Sequence, residues 1–174
     1  MNKGTGIIAI AVLVVAVGFI FFFTKQEASA PSVYEESPTP KTATAPETKP
    51  VNIQASFAIF TNGTFRVFTA AMYHNRSQDA YIEASNPNII HIKKAGTTWD
   101  SFFSTLPFKL ASDCLTTGTK ETFCTGSKGE LQFYLNGVKT NDALSQKIQD
   151  GDKLLVTFGN PSEAQIAQQL KKIP

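Results

Sequence analysis

The chain has 174 residues, two cysteines and a formal net charge of +2, from sixteen Lys and Arg against fourteen Asp and Glu. Charges of both signs are interspersed, so the concentrated basic face of a nucleic-acid binder is missing and no nucleic acid is expected as a partner. Most of the fourteen phenylalanines fall in the C-terminal part of the chain and supply apolar mass for one core, so a disulfide would add to that core rather than replace it.

Residues 7–23 read IIAIAVLVVAVGFIFFF, without a charge. As a helix rising about 1.5 Å per residue, the run covers roughly 25–30 Å, close to the hydrocarbon thickness of a bilayer. Residues 1–24 are therefore read as a transmembrane anchor. The alternative is a signal segment cleaved after Ala30, since Ala28-Ser29-Ala30 has the small-x-small form. The length of the apolar run, and Pro31 directly after the cut, favour the anchor. Either reading carries the rest of the chain across the membrane. The expected location is the cell membrane, single-pass, with the C-terminal domain outside the cytoplasm. No cysteine directly follows the apolar run, which excludes a bacterial lipoprotein.

From residue 25 to residue 52 the composition shifts to Pro, Thr, Ser, Ala, Glu and Lys, with Pro31, Pro38, Pro40, Pro46 and Pro50. Too few large apolar side chains are present to offset the entropy of ordering, so a disordered linker is expected here. Residues 53–174 remain as the extracytoplasmic domain.

Within that domain, residues 56–69 form two β-rich runs around Asn62-Gly63, the dipeptide of a type I′ hairpin turn. This register pairs Phe60 with Phe65 and Ala58 with Val67 on one face, and puts Phe57 and Phe68 on the other. Residues 71–87 are polar and irregular, and Asn86-Pro87 marks a break. Residues 88–93, NIIHIK, alternate as a strand, with Ile90 and Ile92 opposite His91. After Ala95-Gly96 the period becomes helical: Trp99, Phe102, Phe103 and Leu106 share a face, Thr98 stands at the N-cap, and Asp100 lies in the first turn. Pro107 ends that helix. Residues 130–136 alternate again, with Leu131, Phe133 and Leu135 on one face before Asn136-Gly137. Asp150-Gly151-Asp152 turns into a central strand over residues 153–158. Asn160-Pro161-Ser162-Glu163 then opens a tail helix, with Asn160 as N-cap, Pro161 as the first helical residue and Glu163 as the capping-box acid. Ile166, Leu170 and Ile173 make its apolar stripe, which either packs on the sheet or faces a partner.

The succession of a strand, the helix AGTTWDSFFSTL, the strand and turn YLNG, and the strand QDGDKLLVTF resembles the β-grasp (ubiquitin-like) superfamily. It is most similar to the thiamine-biosynthesis sulfur-carrier pattern, with a G-x-T helix start, a small NG turn and a DGD turn before the last central strand. The layout is also similar to transcobalamin C-terminal-like domains and to membrane-anchored microbial proteins. The match covers about residues 89–159, interrupted by the insertion that holds the cysteines. It implies an α+β fold, a β-grasp-like mixed sheet with one main helix, an N-terminal β-hairpin, a disulfide-stapled insertion and a C-terminal amphipathic helix. Sulfur-carrier chemistry rests on a C-terminal Gly-Gly. Here Phe158-Gly159-Asn160-Pro161 and a further helix stand instead, so that chemistry does not carry over.

In an oxidising compartment Cys114 and Cys124, nine residues between them, form a disulfide across a hairpin. A redox pair would need a low-pKa thiol, usually in C-x-x-C at a helix start, and neither cysteine has that setting. His74 and His91 are the only histidines. They are read as surface residues, with a copper or zinc site using both and Asp79 or Glu83 as the minor alternative; zinc usually takes three or four ligands. No nucleophile-elbow, phosphate-loop or dinucleotide motif is present, so neither an enzyme nor a cofactor is expected. Asn62 and Asn75 lie in N-x-[ST] sequons, available as glycosylation acceptors. Tyr73, Tyr81 and Tyr134 are candidates for a binding surface or for rim packing. The function expected is a membrane-tethered, non-enzymatic binding or adaptor domain, attached through residues 7–23 and taking a protein partner or a small ligand. The alternatives are a small-molecule (cofactor) binding surface protein and a thiol-disulfide oxidoreductase. An apolar pocket of roughly 300 Å³ or more separates a ligand binder from a protein adaptor.

Overall fold

Residues 50–174 are described by the structure, a computed structural model. The anchor at 7–23, the cut after Ala30 and the linker up to residue 49 lie outside the described residues. Among the described residues, no helix is long and apolar enough to cross a membrane.

Strand β1 (Pro50–Thr61) begins inside the stretch assigned to the linker. Pro50 faces Lys94, and Val51 and Ile53 pack against the core. A proline is tolerated as the first residue of a strand, where no ladder N–H is required of it. Its membership of a Pro-rich run concealed the strand. β1 runs parallel to the last strand, β10 (Lys153–Gly159), with residues 56–61 opposite residues 153–158. These two form the centre of a mixed sheet. Antiparallel to β1 lies β4 (Ile89–Lys94), followed at the edge by β3 (Ala80–Ile82); antiparallel to β10 lies β8 (Glu130–Leu135), followed by β9 (Val138–Lys139). The short β2 (Thr64–Phe65) folds back on the end of β1, completing seven strands. A separate three-stranded sheet joins β5 (Lys109–Leu110), β6 (Cys114–Thr116) and β7 (Thr122–Cys124). The fold of the described residues is thus α+β, with a mixed main sheet, a small second sheet and two α-helices.

The apolar content of the central strands follows from burial on both faces. On one face, Phe57 and Ile59 of β1 and Leu154, Val156 and Phe158 of β10 meet helix α1 (Trp99–Phe103). On the other, Ala58, Phe60 and Leu155 meet helix α2 (Glu163–Leu170) and Ile173 beyond it. Helix α1 starts at Thr98, whose hydroxyl accepts from Ser101 N at 3.1 Å while Ser101 Oγ accepts from Thr98 N at 2.9 Å. Trp99, Phe102, Phe103 and Leu106 are all buried, as their spacing required. The two turn motifs lock together. Asn136 donates to Asp152 Oδ1 at 2.9 Å and accepts from Lys153 N at 2.9 Å, which fixes the entry of β10 against the exit of β8.

Several expectations need correction. The Asn62-Gly63 turn has φ of 49° and 77°, and Phe60 pairs with Phe65, as a type I′ hairpin demands. The ladder nevertheless ends there: Arg66 N still reaches Ile59 O at 2.8 Å, but Val67 leaves β1 and is 63 % exposed. The edge of β1 is already taken at Phe57, whose N–H donates to Asn88 O at 3.0 Å and whose carbonyl accepts from Asn88 Nδ2 at 2.9 Å; Phe68 still turns into the core, its ring centroid 5.1 Å from that of Phe57. Residues 71–87, read as irregular, contain β3, whose three residues are too few to show a period. Helix α2 is capped by Ser162, with Gln165 completing the capping box, rather than by Asn160 and Glu163. Its first turn therefore begins later, and Ile166 and Leu170 pack against the second face of the sheet.

Candidate binding cleft

After Phe65 the chain runs away from the main sheet to a 3-10 turn at Ala71–Tyr73, passing alongside the small stapled sheet. Between the two lies a cleft of about 380 Å³, floored by Ile59 and walled by Val67, Phe68, Phe108 and Leu115. Three large apolar side chains are exposed among the described residues, and two of them, Val67 and Met72, line this cleft. The tip of the β6–β7 hairpin narrows one end of the cleft at Gly118. A Cβ there would lie 3.1 Å from Pro107 O and 3.8 Å from Met72 Cε. Beyond that pinch is a second, more open chamber of about 860 Å³. It shares Phe108 and Thr117 with the first and adds Leu106, Leu110, Lys109 and Lys120.

Two devices hold the small sheet in place as a wall. Cys114 and Cys124 sit directly opposite each other on β6 and β7 and form the disulfide. Arg66 ties the opposite wall to it: its Nε donates to Thr61 Oγ1, its Nη2 lies 3.5 Å from Glu121, and its guanidinium sits 5.0 Å above the Phe123 ring. Leu115 and Phe123 plant the small sheet in the main core.

Of the other residues singled out in the sequence, Tyr73 borders the cleft, while His91, Tyr81 and Glu83 lie together elsewhere, on the outer side of β4. His74 contacts Phe68 O at 2.8 Å. His91 lies on the outer side of β4, stacked on Tyr81 at 5.3 Å, with Glu83 at 3.9 Å. Among the described residues no three His, Cys, Asp or Glu side chains gather as a metal site. Tyr73 packs edge-on against Phe68 and borders the cleft. Tyr134 is buried under α2 and donates to Gln132 at 2.8 Å, and burial pushes its pKa up. Asn62 and Asn75 are exposed, with φ of 49° and 51°. Cys114 starts β6 and Cys124 ends β7, away from any helix N-terminus. Phe158-Gly159 is the end of a buried strand.

Val67, Met72, Phe108, Lys109 and Lys120 were not anticipated as site residues. The one signal available was Val67 itself: a hairpin continued to Ala58 would have hidden it. The chain matches no protein-family model, and no curated protein and no solved structure matches it.

Proposed function

We propose that this chain is a membrane-tethered, extracytoplasmic binding protein of β-grasp type, without catalytic chemistry, and that it takes a small apolar ligand in the cleft between residues 64–73 and the stapled sheet. Tethering is supported by the uncharged run at 7–23, and the outer location by the disulfide, a bond kept in oxidising compartments. The β-grasp assignment is supported by first and last strands that lie parallel at the centre of the sheet, with α1 between β4 and β8.

The observation that carries the ligand reading is the coincidence of two exposed apolar side chains, Val67 and Met72, with a concave apolar space of about 380 Å³. A space of that size suits a small molecule, and its concavity favours a ligand over a flat protein adaptor surface. Thiol exchange is disfavoured by the placement of the cysteines on facing strands, where the bond serves to hold a wall.

The chain contains two methionines, Met1 and Met72, so methyl-labelled methionine in the full chain, held in lipid nanodiscs, gives one reporter at the cleft. Titration with octanol should shift the Met72 methyl resonance saturably while that of Met1 stays still. In a Met72→Glu chain, leucine-methyl labelling should show the Leu115 shift lost. A Met72 signal that does not respond at saturating octanol would contradict the reading.

A further inference from the structure

We propose that the natural ligand of the cleft is a single-chain amphipathic anion, its apolar chain lying between Phe68, Met72 and Leu115 and its acidic head reaching Lys109 and Lys120. This rests on the cleft being a ligand site and adds the chemical class of what it holds. The two spaces are neighbours, sharing Phe108 and Thr117 in their linings, so a chain seated in the first ends beside the second. The charged residues lining the two chambers are Arg66, Lys109 and Lys120, and no carboxylate lines either. Arg66 already has Glu121 as its partner. Among the described residues, neither Lys109 nor Lys120 has a carboxylate within salt-bridge distance. Ser104 and Thr116, in the same chamber, add hydroxyl donors suited to an anionic oxygen.

A concave site with one sign of charge at its mouth raises the local concentration of the opposite charge. A neutral ligand would leave both ammonium groups without a counter-charge, and a cation would be repelled. The two lysines are exposed, so their combined effect is modest, about tenfold in affinity.

The test compares octanoate with octanol on the full chain in zwitterionic nanodiscs, at matched free concentrations, read at the Met72 methyl. Octanoate should bind about tenfold more tightly than octanol, lose that advantage in the Lys109→Ala/Lys120→Ala chain, and weaken as salt is raised. Octanol binding should be indifferent to both changes. Equal affinities with both lysines present would overturn the anionic head while leaving the cleft as an apolar site. No response to either compound would overturn the binding reading itself. A Met72 shift produced by anionic bilayer lipid alone, without octanoate, would overturn the single-chain ligand in favour of the membrane's own lipid.

Discussion

Removing the Cys114–Cys124 bond should lower the stability of the folded chain by about 2.7 kcal/mol, the value the chain-entropy relation gives for the sequence separation of 10. The domain should remain folded after the loss. Leu115 and Phe123, 3 % and 6 % exposed, keep the small sheet seated in the main core, and each buried side chain of this kind is worth roughly 1.5–3 kcal/mol. Arg66 adds its contacts to Glu121 and Phe123. For a domain of this size the loss corresponds to a fall in Tm of roughly 8–15 °C. The assay is thermal unfolding of the full chain by far-UV circular dichroism, with and without a dithiol reductant, and of a Cys114→Ser/Cys124→Ser chain without it. The reduced chain and the double variant should unfold cooperatively at the same lowered temperature. A fall below about 3 °C would refute the loop-entropy argument. Loss of cooperative unfolding would refute the claim that Leu115 and Phe123 suffice to seat the sheet.

Gly129 has φ of 150°, and a Cβ there would lie 2.7 Å from Gly159 Cα. Gly129→Ala should therefore cost about 3–5 kcal/mol in urea unfolding, strain and backbone overlap together. Gly137→Ala, at φ of 83° with nothing within 4 Å, should cost only about 1 kcal/mol; equal costs would contradict the close approach of the two backbones. Ile173→Ala, removing a buried side chain that packs with Phe60, Tyr134 and Leu155, should destabilise by about 2–4 kcal/mol, and a neutral outcome would show that the tail does not cover this face. The Asp142 carboxylate accepts from the Thr140 hydroxyl and from Gln146 Nε2, which holds its pKa below the usual carboxylate value. A depressed folded-state pKa means that its contribution to stability is present above the unfolded value and is lost as pH falls through the folded one. In a carboxyl NMR titration Thr140→Val should raise the Asp142 pKa more than Gln146→Ala does, and the reverse order would contradict the assignment of the larger cause to Thr140.

The legible parts of the fold were those where period and punctuation agreed over enough residues. Helix α1 could be read from Trp99, Phe102 and Phe103 together with its cap at Thr98, although it ends at Phe103 rather than at Pro107; β8 could be read from alternation closed by an NG turn, and β10 from an apolar run opened by a DGD turn. The disulfide was legible because the chain's two cysteines have one intramolecular pairing available. Local rules failed where a tertiary contact decided. The pattern of residues 65–69 suits a continued strand, but Asn88, distant in sequence, takes both hydrogen-bonding groups of Phe57 and so the edge of β1 that the ladder would need. β1 was cut short because Pro50 belongs by composition to the linker and by position to the strand. α2 started late because two overlapping cap signatures compete, and the Ser162–Gln165 pair closes both reciprocal bonds. The cleft was invisible for a related reason. Its walls come from residues 64–73 and 104–120, brought together by a sheet that the stapled insertion builds for itself. No single stretch of sequence shows a concave surface.

The central claim, that the space beside Val67 and Met72 is where this domain binds, is tested most directly by intermolecular NOEs between octanoate and the methyl-labelled full chain in nanodiscs. The account predicts NOEs from the octanoate chain to the methyls of Met72 and Leu115, and none to Ile173 on the opposite face of the sheet. Contacts confined to the α2 face, or spread evenly over both faces, would contradict it.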